Sequence, residues 1–295
     1  MSETASPQLL VTGANGKLGR LVIERLVAAG VPNVVAGSRE PHKLPAHKGV
    51  LHRRADFDDP ASLDAAFRGV DRVLVISSDR IDVPGLRIRQ HRAAVDAAKR
   101  AGVKHLLYTS MLNPSGSFIP FAPDHLETEN AIEASEMGFS ILRVSWYAEN
   151  LLASLPGILA SGKWFTSAKD GRINHIPRLD VARAAAGALA SRNGVRERFD
   201  ITGPAPLRIA EIAAIASGIA GKPIEVVQVS DGQLAAGTRA AGVPEAFIPL
   251  VVGTDANIRA GKFDVASDAV KRLSGTAAPS LRDFLAANKA VWCET

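Results

Sequence analysis

Apolar and polar positions alternate in two rhythms along the first half of the chain. Leu9-Leu10-Val11-Thr12 is a short apolar run ended by glycine. Over 17–29 the apolar residues Leu18, Leu21, Val22, Leu26 and Val27 recur at helical spacing. Further short runs predict strands at 34–37, 49–53, 73–76, 103–109 and 139–142. Helices are predicted over 60–67, 86–101 and 126–137; the first opens on Pro60, and Gly102 and Gly138 close the other two. The run 73–76 is apolar throughout, as in a sheet covered on both faces. Strands alternating with helices require parallel pairing and right-handed crossovers. The predicted fold class is therefore α/β, a Rossmann-type doubly wound parallel sheet.

After about residue 145 the rhythm loosens, and glycine, proline and alanine rise. Helices are predicted at 179–190, 209–219 and 281–289, with short strands at 198–202 and 224–229. This divides the chain into an NAD(P)-binding Rossmann domain, 1–145, and a smaller mixed α/β lobe, 146–295. The lobe is expected to be mainly substrate-binding and to cover the cofactor cleft, with some segments returning to the Rossmann sheet. There is no internal repeat and no low-complexity linker.

The first strand–helix junction carries the candidate chemistry. Thr12-Gly13-Ala14-Asn15-Gly16-Lys17-Leu18-Gly19 sets glycines in a GxxGxxG spacing between a predicted strand and a predicted helix. Gly13 permits the tight turn, Gly16 lets the backbone approach a pyrophosphate, and Gly19 lets the helix pack on the strand. Free N–H groups and the helix dipole then face the anion. Twenty residues past Gly19 stands Arg39, after Ser38. An NAD enzyme places an acid there for the ribose hydroxyl; an arginine suits the 2′-phosphate of NADP(H), and Ser38 adds a hydrogen bond. NADP(H) is thus favoured over NAD(H), with Glu40 one step later as the confounder. Asp56 either reaches the adenine amino group or forms the turn or cap before Pro60.

Composition narrows the rest. The 295 residues fit one large domain or one with an appended lobe, at roughly 150 residues per domain. At 46% hydrophobic and 22% charged, the chain can bury a sizeable core, which excludes disorder. A single cysteine, Cys293, excludes an intrachain disulfide framework and a zinc–cysteine site, and fits a cytoplasmic setting. No apolar run reaches the roughly 18 residues of a membrane span. The polar N-terminus through Pro7 does not read as a signal peptide. The net charge of +5 is scattered. Its densest basic stretch, Arg87-Ile88-Arg89-Gln90-His91-Arg92, reads as a solvated helix face rather than a nucleic-acid contact. His42, His47 and His52 suit no metal geometry and read as loop or surface residues.

These residues resemble a known family. Val11–Gly19, Ala55-Asp56, Leu74-Val75-Ile76-Ser77-Ser78, Tyr108-Thr109-Ser110, 125–129 and Trp146-Tyr147-Ala148-Glu149-Asn150 look like the NmrA-like group of atypical short-chain dehydrogenase/reductases. The match is strongest to its quinone-reductase and triphenylmethane-reductase types. The resemblance implies that Thr12 to Leu18 hold the pyrophosphate and Arg39 the 2′-phosphate. It implies that Ile76, Ser77 and Ser78 lie along the nicotinamide-side ribose. Ser145, Tyr147 and Glu149 would line the nicotinamide, and Trp146 and Asn150 the acceptor pocket. Core packing is the alternative for Trp146 and Tyr147. Val144 departs from the asparagine frequent in relatives.

Ordinary short-chain dehydrogenases carry a Tyr-x-x-x-Lys proton relay after the fifth strand. Here His125 stands at the tyrosine position and Glu129 at the lysine position, and an acid opposes phenolate formation. Ketone–alcohol chemistry is disfavoured. Hydride transfer to an electrophilic quinone demands less, because its product is a weak acid. His125 is expected to supply protons or position the acceptor, with Tyr147 beside it; the alternative for His125 is a structural role. Glu127 and Glu129 read as surface or helix charges. The expected function is an NADPH-dependent quinone reductase. A non-catalytic NADP(H)-sensing regulator and a dye reductase are the competing readings. The expected partner is a small-molecule acceptor, with no membrane or nucleic acid, and the resemblance allows a homodimer.

Overall fold

The computed structural model describes residues 6–191, 194 and 196–293. Residues 1–5, which belong to the N-terminal stretch read above, lie outside the described residues. The first half runs β1 (Leu9–Val11), α1 (Lys17–Ala28), β2 (Val34–Ser38), β3 (Val50–Arg54), α2 (Pro60–Phe67), β4 (Arg72–Val75), α3 (Leu86–Arg100), β5 (His105–Met111), α4 (Ala122–Ala134) and β6 (Gly138–Val144). The second half runs β7 (Trp146–Tyr147), α5 (Glu149–Ser161), β8 (Lys163–Thr166), β9 (Arg172–Ile173), β10 (His175–Ile176), α6 (Arg178–Ala190), β11 (Glu197–Ile201), β12 (Leu207–Arg208), α7 (Ile209–Ala220) and β13 (Glu225–Gln228). It ends with α8 (Asp231–Ala240), α9 (Ile248–Arg259), α10 (Ala269–Ser274), α11 (Leu281–Ala287) and α12 (Lys289–Trp292).

Seven strands form the central sheet in the order β11-β6-β5-β4-β1-β2-β3. Every neighbouring pair is parallel, so the fold is the doubly wound Rossmann type. Residues of α1, α6 and α10 cover one face, with Leu18, Val22, Ile23 and Leu26 of α1 at the helical spacing of the sequence stripe. Residues of α2, α3 and α4 cover the other. A third core joins α5, α7, α9, α11 and α12 and encloses Trp292 completely. Because β1 and β4 are neighbours while α1 and α3 leave to opposite faces, a crevice opens between their C-terminal ends.

The strand expected at 198–202 is β11, which pairs with β6 and extends the sheet. Helix α4 stops at Ala134 rather than reaching Gly138. Glu136 turns the chain at φ 65°. Gly138 instead begins β6, where a Cβ would meet His105 Nδ1 at 2.8 Å. The pattern predicted no helix at 149–161, 231–240 or 248–259; α5, α8 and α9 form there although they contain Pro156-Gly157, Gly232 and Gly237, and Pro249 and Gly253, all of low helix propensity. Tertiary packing overrides those propensities. No helix among the described residues is long and apolar enough to cross a membrane.

Candidate cofactor cleft and the buried network beside it

The glycine turn is a cradle shaped by backbone contact. Gly13 adopts φ +60°, and a Cβ on Gly16 would stand 3.2 Å from the Gly13 carbonyl oxygen. On Gly19 it would lie 2.3 Å from that oxygen, a distance no real Cβ occupies. Helix α1 therefore packs against the turn only because Gly19 has no side chain. No side chain caps its N-terminus, and Gly13, Gly16 and Lys17 are exposed while Leu18 and Gly19 are buried. Asn15 accepts Arg20 at its carboxamide oxygen, leaving its NH2 to donate outward. Ala14 and Gly16 N–H are engaged within the fold, so a pyrophosphate would be met by the uncapped first turn of α1, with its N-terminal dipole and one lysine. Thr12 is fully buried and faces inward. Its hydroxyl donates to the Leu74 carbonyl at 3.1 Å and accepts from Ile76 N–H at 3.1 Å, fastening the turn after β1 to the end of β4.

At the end of β2, Arg39 is exposed, and no partner engages its guanidinium among the described residues. Glu40, the confounder, pairs with Lys43 at 2.6 Å. Lys43 holds that carboxyl below its usual range. Ser38 Oγ accepts the Glu40 N–H at 3.2 Å and retains its own proton to donate. Asp56 carries the turn of its alternative reading. One carboxylate oxygen accepts Asp58 N–H at 3.1 Å and the other meets Arg54 at 3.1 Å, while Asp59 caps α2.

Past β4, Ser77 N–H donates to Thr109 Oγ1 at 2.8 Å, and Ser78 is seized by α3. His91 Nε2 accepts Ser78 N–H at 2.9 Å, Gln90 Oε1 accepts its hydroxyl at 2.5 Å, and Arg87 Nε donates to its carbonyl at 2.7 Å. The stretch 87–92, read as a solvated face, is thus half interior. Arg87, Gln90 and His91 are each under 5% exposed. Their i, i+3, i+4 spacing was the available signal.

Beyond β6, Ser145 is buried and its hydroxyl donates to the Asn174 carbonyl. Trp146 lies against Phe263, ring centroids 5.7 Å apart, so it serves the third core. Arg178 covers the half-buried Tyr147 ring at 4.6 Å. Burial pushes the Tyr147 phenol up to about 12. Glu149 accepts the Arg178 N–H at 2.9 Å and so caps α6. Asn150 is exposed.

The two relay positions lie elsewhere than expected. His125 is 3% exposed and sits in the seam between α3 and α4 rather than at the crevice. Arg87 approaches its Nε2 at 2.8 Å and Tyr108 Oη its Nδ1 at 2.9 Å. A guanidinium only donates, so His125 Nε2 must be bare and its proton sits on Nδ1, directed at Tyr108. The same logic puts the His91 proton on Nδ1, because Nε2 accepts from a backbone N–H. That proton points to Thr128 Oγ1 at 2.9 Å, and Thr128 donates on to the Asp124 carbonyl at 2.6 Å. The Tyr108 hydroxyl also lies 3.2 Å from His91 Nδ1. Burial, then Arg87, pushes His91 down to about 3 and holds His125 well below the ordinary imidazole range. Burial also raises the Tyr108 phenol.

Glu129 is a correction. It is 1% exposed, not a surface charge, whereas Glu127 is exposed and pairs with Arg92 at 3.2 Å. Glu129 accepts Ser110 Oγ at 2.6 Å and takes Arg143 at two points, 3.0 and 2.6 Å. The position that holds a lysine in ordinary relatives is here the anion of a buried ion pair.

The profile of a family described as NAD(P)H-binding matches residues 13–192. The chain belongs to that family, within its NmrA-like, atypical short-chain dehydrogenase/reductase group. Quinone oxidoreductase 2 of Escherichia coli is 35% identical over 261 residues, 87% of this chain and 90% of that protein. The NAD(P)H azoreductase of Xenophilus azovorans is 26% identical, across 96% of this chain and 99% of that protein. Among solved structures, NADPH-dependent quinone oxidoreductase of E. coli complexed with NADPH aligns with a TM-score of 0.89 at 33% identity, covering 95% of this chain and 99% of that chain. Triphenylmethane reductase of Citrobacter sp. complexed with NADP(H) aligns at 0.84 and 34% identity, covering 94% and 98%.

Proposed function

We propose that this member of the NAD(P)H-binding family is an NADPH-dependent reductase that passes hydride to a quinone or a similar conjugated acceptor. One observation carries the reading: the glycine cradle is intact while both relay positions are locked. His125 is a neutral imidazole occupied on both ring nitrogens, and Glu129 is tied to Ser110 and Arg143. The relatives named quinone oxidoreductase, azoreductase and triphenylmethane reductase support an acceptor that needs no relay.

Gly13, Asn15, Gly16, Lys17 and the Leu18 N–H would hold the pyrophosphate of NADPH. Arg39 and Ser38 would hold its 2′-phosphate, and Ile76, Ser77 and Ser78 its nicotinamide-side ribose. Thr12, Gly19, Ser145 and Glu149 act by shaping that site. Bound there, NADPH supplies hydride at its nicotinamide C4. Tyr147 stays protonated at neutral pH and can donate a hydrogen bond to a developing quinol oxygen, while solvent delivers the proton. Trp146 and Asn150 border the acceptor, under the lobe 146–295. His125 acts by holding Arg87 and Tyr108. Position and exclusion of water supply the rate.

The test follows NADPH oxidation with a panel of small quinones and triphenylmethane dyes beside simple ketones. Turnover with quinones or dyes, and almost none with ketones, is expected. Tight NADPH binding with no turnover of any acceptor would overturn the reductase reading in favour of a sensor.

A further inference from the structure

Three side chains within one turn of α3, Arg87, Gln90 and His91, hold all three polar groups of one residue, Ser78. One of them does more. Gln90 accepts the Ser78 hydroxyl at 2.5 Å through Oε1 and donates to Asp58 Oδ2 at 2.7 Å through Nε2. Asp58 N–H in turn donates to Asp56 Oδ1 at 3.1 Å. The loop after β3 and the loop after β4 are thereby bridged by one buried carboxamide, across the two intervening strands β2 and β1. The two loops have no shared strand, so this bridge is a direct mechanical link between sites at opposite ends of the crevice.

We propose that Gln90 is a positioning residue that couples the adenosine end of the cofactor site to its nicotinamide-ribose end. In that placement the adenine would lie beside the turn after β3, which Asp56 closes through Asp58 N–H, and filling the adenosine end would still the turn at 56–58. Asp58 then holds the Gln90 carboxamide, and the carboxamide holds Ser78 in place for the ribose. Asp58 fixes the carboxamide's orientation: its carboxylate only accepts, so a reversed amide would set Oε1 against it and lose that bond. Arg87 and His91 keep the Ser78 backbone in register, so the carboxamide sets only the side chain and the loop that follows, 77–85. This rests on the cofactor placement proposed above.

Adenosine 2′-monophosphate is the probe, because it fills the adenosine end without touching the nicotinamide end. Hydrogen–deuterium exchange of the peptide spanning 77–85 is the first readout. In the unaltered protein the nucleotide should slow exchange there, at a distance from its own site. Gln90→Met keeps the length but neither hydrogen bond, and should bind the nucleotide equally well with no protection of 77–85. Gln90→Glu keeps the acceptor for Ser78 and sets a carboxylate against Asp58. It should lose the protection likewise, and it serves if the methionine variant does not fold. As a second readout, the nucleotide should raise the rate of quinone reduction by reduced nicotinamide mononucleotide. At least about fivefold is expected, the low end of a site–site coupling, and Gln90→Met should abolish it.

If adenosine 2′-monophosphate competes with NADPH but leaves 77–85 unprotected in the unaltered protein, the coupling is wrong. If both Gln90 variants keep the protection, the residue is wrong. If the nucleotide does not compete with NADPH, the adenosine placement itself fails, and the coupling falls with it.

Discussion

Glu129 and Arg143 meet carboxylate to guanidinium in a two-point contact, Oε1 to Nε at 3.0 Å and Oε2 to NH2 at 2.6 Å, with Glu129 almost wholly out of solvent. Removing one partner of a fully buried pair costs about 3–5 kcal/mol; the Arg143 side chain keeps 24% exposure, so the cost here should lie below that. Glu129→Gln should therefore lower the denaturation midpoint sharply. Glu129→Lys, which restores the ordinary relay residue, should destabilise more, because the ammonium faces Arg143, and it should create no ketone reduction. Urea unfolding and an assay with simple ketones check both halves.

Arg39 should set cofactor choice. Its unpaired guanidinium at the end of β2 should favour NADPH over NADH. A charge-assisted contact is worth about 1.5–3 kcal/mol. Arg39→Ala should erase most of the preference, roughly tenfold or more, with little change in NADH affinity. Equal affinity for both cofactors in the unaltered protein, measured by fluorescence titration, would sink the idea.

Gly19→Ala puts a methyl where the Gly13 carbonyl oxygen stands, 2.3 Å away. Helix α1 must retreat, at the about 1–3 kcal/mol of an overpacked contact. Thermal unfolding should shift down, and NADPH affinity should fall with it, because the helix start moves off the pyrophosphate position. Unchanged affinity at reduced stability would separate the helix from the cofactor.

His125→Ala leaves Arg87 Nη2 without its partner and takes from the Tyr108 hydroxyl its shorter ring contact, leaving the 3.2 Å approach to His91 Nδ1. Each buried group left unsatisfied costs about 1–3 kcal/mol. The variant should lose stability first. Quinone turnover should fall far less than the roughly 10²-fold minimum of a lost general acid. A loss of that size or more at full cofactor saturation, with folding intact, would return His125 to a catalytic role.

Buried imidazoles make the fold acid-sensitive. Burial pushes His175 down to about 3 and His91 to about 3, with Arg87 adding to the latter; His105 falls to about 4 through burial and Arg72. The unfolded chain takes up protons at the ordinary 6.5 while the native chain does not. Stability is therefore fully present above that pH and is lost as pH falls toward the native values. Each imidazole contributes a slope of about 1.4 kcal/mol per pH unit inside its window. Between pH 6 and 4.5, His175→Leu should flatten the measured slope of unfolding free energy by about that amount.

The sequence by itself determined the Rossmann half. GxxGxxG between an apolar strand and an amphipathic helix has one physical use, and 3.6-residue spacing placed Leu18, Val22 and Leu26 on the core face before any contact was known. The exposed place of Arg39 was legible too, because β2 pairs with β1 and ends beside the turn after it. Polar side chains within helices were not legible. Their burial depends on the neighbour across the seam, which local pattern does not contain. Arg87, Gln90 and His91 look like a solvated stripe until α4 closes over them, and Glu129 looks like a surface acid until β6 brings Arg143 to it. The direction of the His125 imidazole was decided in the same way. At its position on α4 a side chain points to the sheet, and only the presence of Arg87 and Tyr108 there makes it a fixed hydrogen-bond bridge rather than a group facing the cleft.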